Sequence, residues 1–163
     1  MLDLCTGSGA LAVAIAAHHA DARVTATDIC ADALAVAQGN ARRCGVSIEF
    51  LQGDMFEPVK GRRFDLIVCN PPYLSAADMR ALQLEVRHEP ALALYGGHDG
   101  LDFYRRIASA LPGHLNPGAV AMLEVGAGQA ADAKALLAAS MPHGLITARK
   151  DLAGIERVLS VQI

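Results

Sequence analysis

Short runs of apolar residues alternate along the chain with longer segments that are rich in alanine and leucine. The short runs have the length and composition of β-strands, and the longer segments have those of α-helices. Regular alternation of the two is typical of βαβ units, in which helices connect the strands of a mostly parallel sheet. The pattern therefore predicts an α/β fold, with one domain over residues 1–163.

Seven strands and four helices follow from this pattern. The strands are expected at Met1–Leu4, Val24–Thr27, Ile48–Gln52, Phe64–Cys69, Ala119–Val125, Leu145–Ala148 and Arg157–Val161. The helices are expected at Leu11–His19, Ala31–Cys44, Leu101–Leu115 and Ala130–Ser140. The link Asp151–Gly154 is too short for a helical crossover, so the last two strands must pair antiparallel or lie apart. Residues 75–100 form a long connection, and such connections usually have a function.

A glycine turn follows the first strand, in Asp3-Leu4-Cys5-Thr6-Gly7-Ser8-Gly9. Small residues there let the backbone approach a ligand closely, and the next helix offers free N–H groups. Asp28 ends the second strand at the same sheet edge, where it could accept hydrogen bonds from two ribose hydroxyls. The spacing Gly7-x-Gly9-x-x-Ala12 also fits a dinucleotide-binding turn, so this motif alone leaves NAD and S-adenosylmethionine equally open.

The third strand ends in Gln52-Gly53-Asp54-Met55-Phe56. We expect the Asp54 carboxylate to accept a hydrogen bond from the exocyclic amine of an adenine. Met55 and Phe56 could form an apolar wall against the ring. A plain turn aspartate is the alternative, because aspartate is common in turns.

The fourth strand is followed by Asn70-Pro71-Pro72-Tyr73. The two prolines remove two N–H donors and stiffen the backbone, while their carbonyls remain as acceptors. The Asn70 side-chain oxygen and the Pro71 carbonyl could together hold an –NH2 group, with Tyr73 against the flat substrate group. Two such acceptors orient a weakly nucleophilic amide nitrogen and stabilise the charge it gains on attacking a sulfonium methyl. The motif predicts S-adenosylmethionine-dependent methyl transfer, with Asn70, Pro71 and Tyr73 as the catalytic residues.

Composition narrows the function classes. The net charge of -3 and the pI of about 6.0 argue against an extended surface for nucleic acid. No apolar run reaches the roughly 20 residues that span a membrane. The N-terminus has no signal-peptide pattern, so we expect a cytoplasmic protein. Cys5, Cys30, Cys44 and Cys69 include no C-x-x-C pair, which predicts buried, reduced thiols and no metal site.

Taken together, the motifs resemble those of the HemK/PrmC family of protein-(glutamine-N5) methyltransferases. The similar segments are Asp3–Gly9, Asp28, Asn70–Tyr73, Arg87–Pro90, Gly97–Arg106, Leu123–Gly126 and Asp151–Val158. The resemblance implies a Rossmann-like methyltransferase fold, with a mostly parallel seven-stranded sheet and an antiparallel last strand. It also implies that residues 1–163 are a catalytic domain with a truncated first strand, and that the family's N-terminal helical domain is absent.

The resemblance further assigns functional residues. It implies that S-adenosyl-L-methionine contacts Cys5, Thr6, Gly7, Ser8, Gly9, Asp28, Met55 and Asn70. It implies that the substrate contacts Asn70, Pro71, Pro72 and Tyr73. The implied substrate is the glutamine of the Gly-Gly-Gln loop in a peptide chain release factor, and no membrane partner is expected.

Four other functions stay open on the sequence. One is an NAD-dependent oxidoreductase, although Asn-Pro-Pro-Tyr has no obvious role in hydride transfer. Cys5 stands where the release-factor enzymes commonly have glycine, and together with Arg87–Pro90 it is similar to the sister enzymes that methylate a ribosomal protein. A DNA adenine or cytosine amino-methyltransferase could use Asn-Pro-Pro-Tyr in the same way to hold an amino group. It would also need a surface that binds phosphates and a means of extruding the target base. A cofactor-binding module without catalytic activity is the non-enzymatic alternative.

Overall fold

A computed structural model of the chain describes residues 1–81 and 90–163, so the Arg87-His88-Glu89 part of the similar segments lies outside the described residues. The strands are β1 (Leu2–Leu4), β2 (Thr25–Asp28), β3 (Glu49–Gln52), β4 (Phe64–Cys69), β5 (Leu115–Glu124), β6 (Leu145–Lys150) and β7 (Glu156–Gln162). The α-helices are α1 (Ala10–His18), α2 (Ala31–Arg43), α3 (Ala76–Arg80), α4 (Ala91–Leu94), α5 (Asp102–His114) and α6 (Ala130–Ser140). A short 3-10 helix spans Glu57–Val59.

The strands form one seven-stranded sheet in the order β3-β2-β1-β4-β5-β7-β6. Strand β1 pairs in parallel with β2 and β4, and β2 pairs in parallel with β3. Strands β6 and β7 pair antiparallel. This confirms the predicted α/β fold, including the antiparallel pairing of the last two strands. Among the described residues, no helix is both long and apolar enough to cross a membrane.

The chain divides into two compact units. The first unit contains Met1–Asn70 and Gly113–Ala121, and the second contains Pro71–Pro112 and Met122–Ile163. In the first unit every residue of β1 is buried, as expected for a parallel strand covered on both faces. Helix α1 begins after Gly9, where an added Cβ would lie 2.8 Å from Cβ of Ala37, so glycine permits the close approach of α2.

The core of the second unit is built on α5, α6 and β7. In α5 the buried residues are Tyr104, Ile107, Ala108 and Leu111, which recur at the three- and four-residue spacing of one helical face. Helix α6 likewise buries Ala130, Ala133 and Leu137. Strand β7 adds the fully buried Leu159 and Val161. The spacing of apolar residues therefore explains the packing of both helices.

Three details differ from the sequence prediction. Strand β5 begins at Leu115, four residues before its predicted start at Ala119. The connection 75–100 contains α3 and α4, and α3 begins with a capping box in which Ser75 and Asp78 satisfy each other's backbone N–H groups. The prediction of four buried thiols holds only for Cys69: Cys5 and Cys30 are half-buried and Cys44 is exposed, although all four cysteines are free.

Candidate functional site

Asp28 holds the glycine turn of the first unit in place. Its Oδ2 accepts a hydrogen bond from the Gly7 N–H at 2.8 Å, and its Oδ1 accepts one from the Cys30 N–H at 2.9 Å. The Thr6 N–H donates to the Thr27 carbonyl at 2.9 Å. The two motifs that the sequence placed at one sheet edge are therefore in direct contact. Each Asp28 oxygen retains acceptor capacity, because a carboxylate offers about four lone-pair positions.

Asp3 supports the same turn from inside the sheet. It is almost completely buried and accepts hydrogen bonds from Thr6 Oγ1 at 2.6 Å and from the Ala12 N–H at 3.1 Å. Burial raises the pKa of Asp3 to about 6, although these hydrogen bonds act in the opposite direction. Asp3 had no predicted role of its own, but a carboxylate inside an apolar strand is a signal that could have identified one.

Two non-glycine residues beside the turn have left-handed backbones. They are Cys5, with φ of 59°, and Met55, with φ of 53°. Cys5 Sγ lies 3.6 Å from Met55 Sδ, so the two strained residues contact each other. Residues in such conformations persist where the surrounding structure holds them, and they cluster at functional sites. Burial raises the pKa of the neighbouring Cys69 thiol, and the adjacent Cys5 thiol adds to the effect.

The segment after β3 contains the three residues that were predicted to contact an adenine. The strand ends at Gln52, so the half-buried Asp54 lies two residues beyond it. Met55 and Phe56 are both buried. The Phe56 ring packs on the His114 ring with 4.5 Å between centroids, which places Phe56 in the packing of the first unit.

Strand register brings several predicted site residues to one edge. Leu4 pairs with both Thr27 and Cys69. The next residues along the three strands are Cys5, Asp28 and Asn70. These residues therefore lie side by side at the carboxyl ends of adjacent parallel strands. Adjacent strands lie about 4.8 Å apart. Asn70 is exposed there and ends the first unit.

The rest of the Asn-Pro-Pro-Tyr motif belongs to the second unit. Pro71 and Pro72 are buried, and Tyr73 is half-buried. The Tyr73 hydroxyl donates to Glu124 Oε1 at 3.5 Å, and the Tyr73 carbonyl accepts from Gln129 Nε2 at 2.9 Å. Gln129 was not among the predicted site residues, and it lies 56 positions from Tyr73 along the chain.

A glycine segment packs against the same loop. The Leu74 N–H donates to the Leu94 carbonyl at 2.8 Å, and the Gly96 N–H donates to the Leu74 carbonyl at 2.9 Å. A Cβ added at Gly96 would lie 2.7 Å from both the Pro72 carbonyl oxygen and Tyr73 Cα. Only glycine fits at this position without a shift of the proline loop. Among the described residues, no group of three His, Cys, Asp or Glu side chains could hold a metal ion.

Residues 1–89, including the glycine turn and the Asn-Pro-Pro-Tyr motif, match the family described as "Methyltransferase small domain". The chain belongs to this methyltransferase family. Among curated relatives, it is 46% identical over 164 residues to the release factor glutamine methyltransferase of Geobacter sulfurreducens, covering 100% of this chain and 57% of that protein. It is 49% identical over 127 residues to the ribosomal protein uL3 glutamine methyltransferase of Bordetella pertussis. That alignment covers 77% of this chain and 43% of the uL3 enzyme.

These relatives confirm the resemblance that the motifs indicated. The chain spans a little over half the length of the Geobacter protein. A solved structure of a methyltransferase from Pyrococcus furiosus superposes with a TM-score of 0.72 at 19% sequence identity. That comparison covers 99% of this chain and 73% of the other, and it supports the fold.

Proposed function

We propose that this chain transfers a methyl group from S-adenosylmethionine to the side-chain amide nitrogen of a glutamine in a protein. The observation that carries the proposal is the register of β1 and β4. The glycine turn begins one residue after Leu4, and Asn70 comes one residue after its partner Cys69. A donor held by the turn and an acceptor held by Asn70 would therefore lie over neighbouring strands.

The turn suits a ligand with ribose hydroxyls and a charged sulfonium group. A Cβ added at Gly7 would meet nothing within 4 Å, so the space beside the turn is open. In the proposal, Asp28 accepts hydrogen bonds from the ribose hydroxyls while it also holds the Gly7 N–H. The backbone from Cys5 to Gly9 lines the ligand, together with Met55. Asp54 accepts a hydrogen bond from the adenine amine.

When bound, S-adenosylmethionine supplies an activated methyl group. In the proposal, the Asn70 side-chain oxygen and the Pro71 carbonyl accept hydrogen bonds from the substrate –NH2. The amide is thereby turned so that its nitrogen faces the methyl carbon. A nitrogen held in this way would form a bond to the methyl carbon as the methyl–sulfur bond breaks, with S-adenosylhomocysteine as the leaving group and the nitrogen proton passing to water. Orientation and fixed acceptors supply the catalysis, so no strong base is required.

We propose a peptide chain release factor as the protein substrate, because relatives with high coverage of this chain have that substrate in their names. The ribosomal protein uL3 is the second candidate, favoured by 49% identity to the uL3 enzyme. The net charge of -3 is unsuited to an extended nucleic-acid surface, so DNA serves as the control substrate.

A labelled-methyl assay tests the proposal. The purified chain is incubated with S-adenosylmethionine labelled in the methyl group and with release factor, uL3 or duplex DNA. We expect label on the glutamine of the release factor Gly-Gly-Gln loop, located by peptide mass spectrometry. We also expect the rate to be unchanged by EDTA. Label on DNA alone, or loss of transfer with chelator and its recovery with a divalent cation, would overturn the proposal.

A further inference from the structure

The Gln129 side chain connects the proline loop to the end of β5 within the second unit. Its Nε2 donates to the Tyr73 carbonyl at 2.9 Å, and its Oε1 accepts from the Gly126 N–H at 3.1 Å. Only this orientation of the amide pairs a donor with an acceptor at both ends. The residue uses both functions of its amide to join two segments that are distant in sequence.

The surroundings of Gln129 are shaped to hold this bridge. A Cβ added at Gly126 would lie 2.5 Å from Gln129 Oε1 and 3.1 Å from Tyr73 Cδ2. A Cβ added at Gly100 would overlap both Gln129 Nε2 and the Tyr73 carbonyl oxygen. Glycine at these positions lets the amide and the tyrosine backbone meet. Gln129 is also the residue before α6, yet its side chain does not cap that helix.

A hydrogen bond to the Tyr73 carbonyl restrains the backbone of the two prolines that precede it. Pro71 and Pro72 have fixed φ angles, so the loop has few soft dihedrals and moves largely as one piece. A hydrogen bond to the carbonyl that ends the loop therefore restrains the direction of the Pro71 carbonyl as well. The rate of a positioned reaction is sensitive to such direction, since a displacement of about 1 Å can reduce it by about a hundredfold.

We propose that Gln129 is a positioning residue, which orients the Pro71–Tyr73 loop so that its carbonyls receive the substrate amide. This inference rests on the proposed function, because it assigns Gln129 to the loop that would hold the methyl-accepting amide in that reaction. Gln129 acts through the loop and does not contact the methyl donor. Its loss should therefore reduce the methyl-transfer rate without weakening the binding of S-adenosylmethionine.

The first test compares Gln129→Met with Gln162→Met. Methionine has nearly the same length as glutamine but can neither donate nor accept as the amide does. Gln162 is an exposed residue at the end of β7, so its variant controls for the chemical change itself. We expect Gln129→Met to lower the single-turnover rate about tenfold to a hundredfold per folded molecule. The Kd for S-adenosylmethionine should stay within about twofold, and Gln162→Met should match the wild type.

The second test is Gln129→Glu, which gives a pH signature. When protonated, the introduced carboxyl can donate to the Tyr73 carbonyl and accept from the Gly126 N–H; when ionised, it can only accept. The rate of this variant relative to wild type should therefore rise as the pH falls through the pKa of the introduced carboxyl. A ratio that is flat with pH would contradict the bridge.

A third measurement does not depend on turnover. The Leu74 N–H, next to Tyr73, should exchange with deuterium about tenfold faster in Gln129→Met than in wild type, which is the equivalent of one hydrogen bond. If the wild-type chain transfers no methyl group, the proposed function fails, and this exchange rate alone decides the role of Gln129. Unchanged exchange, or a wild-type transfer rate in Gln129→Met, would overturn the inference.

Discussion

The glycine turn of the first unit and the proline loop of the second unit are held in place by different kinds of hydrogen bond. In the first unit, the Asp28 carboxylate accepts a hydrogen bond from the Gly7 N–H of the glycine turn, and the Asp3 carboxylate accepts one from the Ala12 N–H in the first turn of α1. In the second unit, a neutral amide donates to a backbone carbonyl, and glycines allow the close packing. A turn that presents N–H groups needs acceptors behind it, whereas a proline loop that presents carbonyls needs donors. The first arrangement includes Asp3, whose pKa is raised by burial, and the second depends on shape.

The largest expected effect comes from Asn70, the last residue of the first unit. Asn70→Ala removes the proposed acceptor for the substrate –NH2 but leaves the contact between Gly7 and Asp28 intact. The methyl-transfer rate should fall about 10²–10³-fold, the scale for loss of one preorganised polar group. Single-turnover measurements at saturating cofactor provide the test.

Asn70→Asp refines this result. Aspartate keeps an acceptor but loses the amide donor and adds charge. It should retain more activity than alanine if the acceptor dominates. A near-normal rate in Asn70→Ala would remove Asn70 from the reaction.

Asp3 should make the stability of the wild type depend on pH. Its pKa is about 6 in the folded protein, against an ordinary value of 3.8, so the folded state binds the proton more tightly. Its contribution to the free energy of unfolding is present at low pH and is lost as the pH rises from about 4 to about 6. The loss should be about 3 kcal/mol, since one pKa unit is worth about 1.4 kcal/mol.

Asp3→Asn removes the titrating carboxyl and so tests whether Asp3 causes the pH dependence of stability. Urea unfolding of both proteins at several pH values between about 4 and 7 gives the difference in unfolding free energy at each pH. That difference should shift in favour of the asparagine variant as the pH rises. Parallel curves for the two proteins would show that Asp3 is not the titrating group.

Asp28→Ala should weaken cofactor binding. The variant loses the proposed contacts to the ribose as well as the acceptors for Gly7 and Cys30. Loss of hydrogen bonds to a charged group costs about 1.5–3 kcal/mol, or roughly a tenfold to hundredfold rise in Kd. Titration calorimetry measures it, with the exposed Asp32→Ala as the matched control. Equal affinity in the two variants would contradict the role assigned to Asp28.

The smallest effect is expected for Tyr73→Phe. Its hydroxyl contact with Glu124 Oε1 is long, at 3.5 Å, so its removal should cost less than about 1 kcal/mol. The single-turnover rate should fall by less than about fivefold, because the backbone bond to Gln129 remains. A loss greater than tenfold would indicate that the hydroxyl itself contacts the substrate.

Local pattern predicted the elements that depend on local composition. Strand Phe64–Cys69 and helix Ala130–Ser140 match the prediction residue for residue, because the strand contains the apolar run 66–69 and the helix is rich in alanine and leucine. The start of β5 was wrong because Asn116-Pro117-Gly118 has the composition of a turn. Two distant partners hold it in the strand: Arg63 Nη1 donates to the Leu115 carbonyl at 2.5 Å, and Asn116 Nδ2 donates to Asp65 Oδ1 at 2.8 Å.

In the candidate site, too, some features follow from simple sequence rules and others depend on contacts between distant residues. The meeting of the glycine turn with Asp28 follows from the rule that parallel strands present their carboxyl ends at one edge. The roles of Gln129 and Asp3 could not be predicted in the same way. Gln129 depends on a contact made 56 positions away, and the effect of Asp3 depends on its burial in the folded sheet.

The tyrosines of the second unit have an optical consequence. The chain has no tryptophan, and its three tyrosines, Tyr73, Tyr95 and Tyr104, all belong to that unit. Tyr73 and Tyr104 both direct their hydroxyls to Glu124, one to its carboxylate and one to its carbonyl. Intrinsic fluorescence excited near the tyrosine absorption band therefore comes from the second unit alone. Movement of the proline loop becomes visible without a label, because the first unit contributes no tyrosine signal.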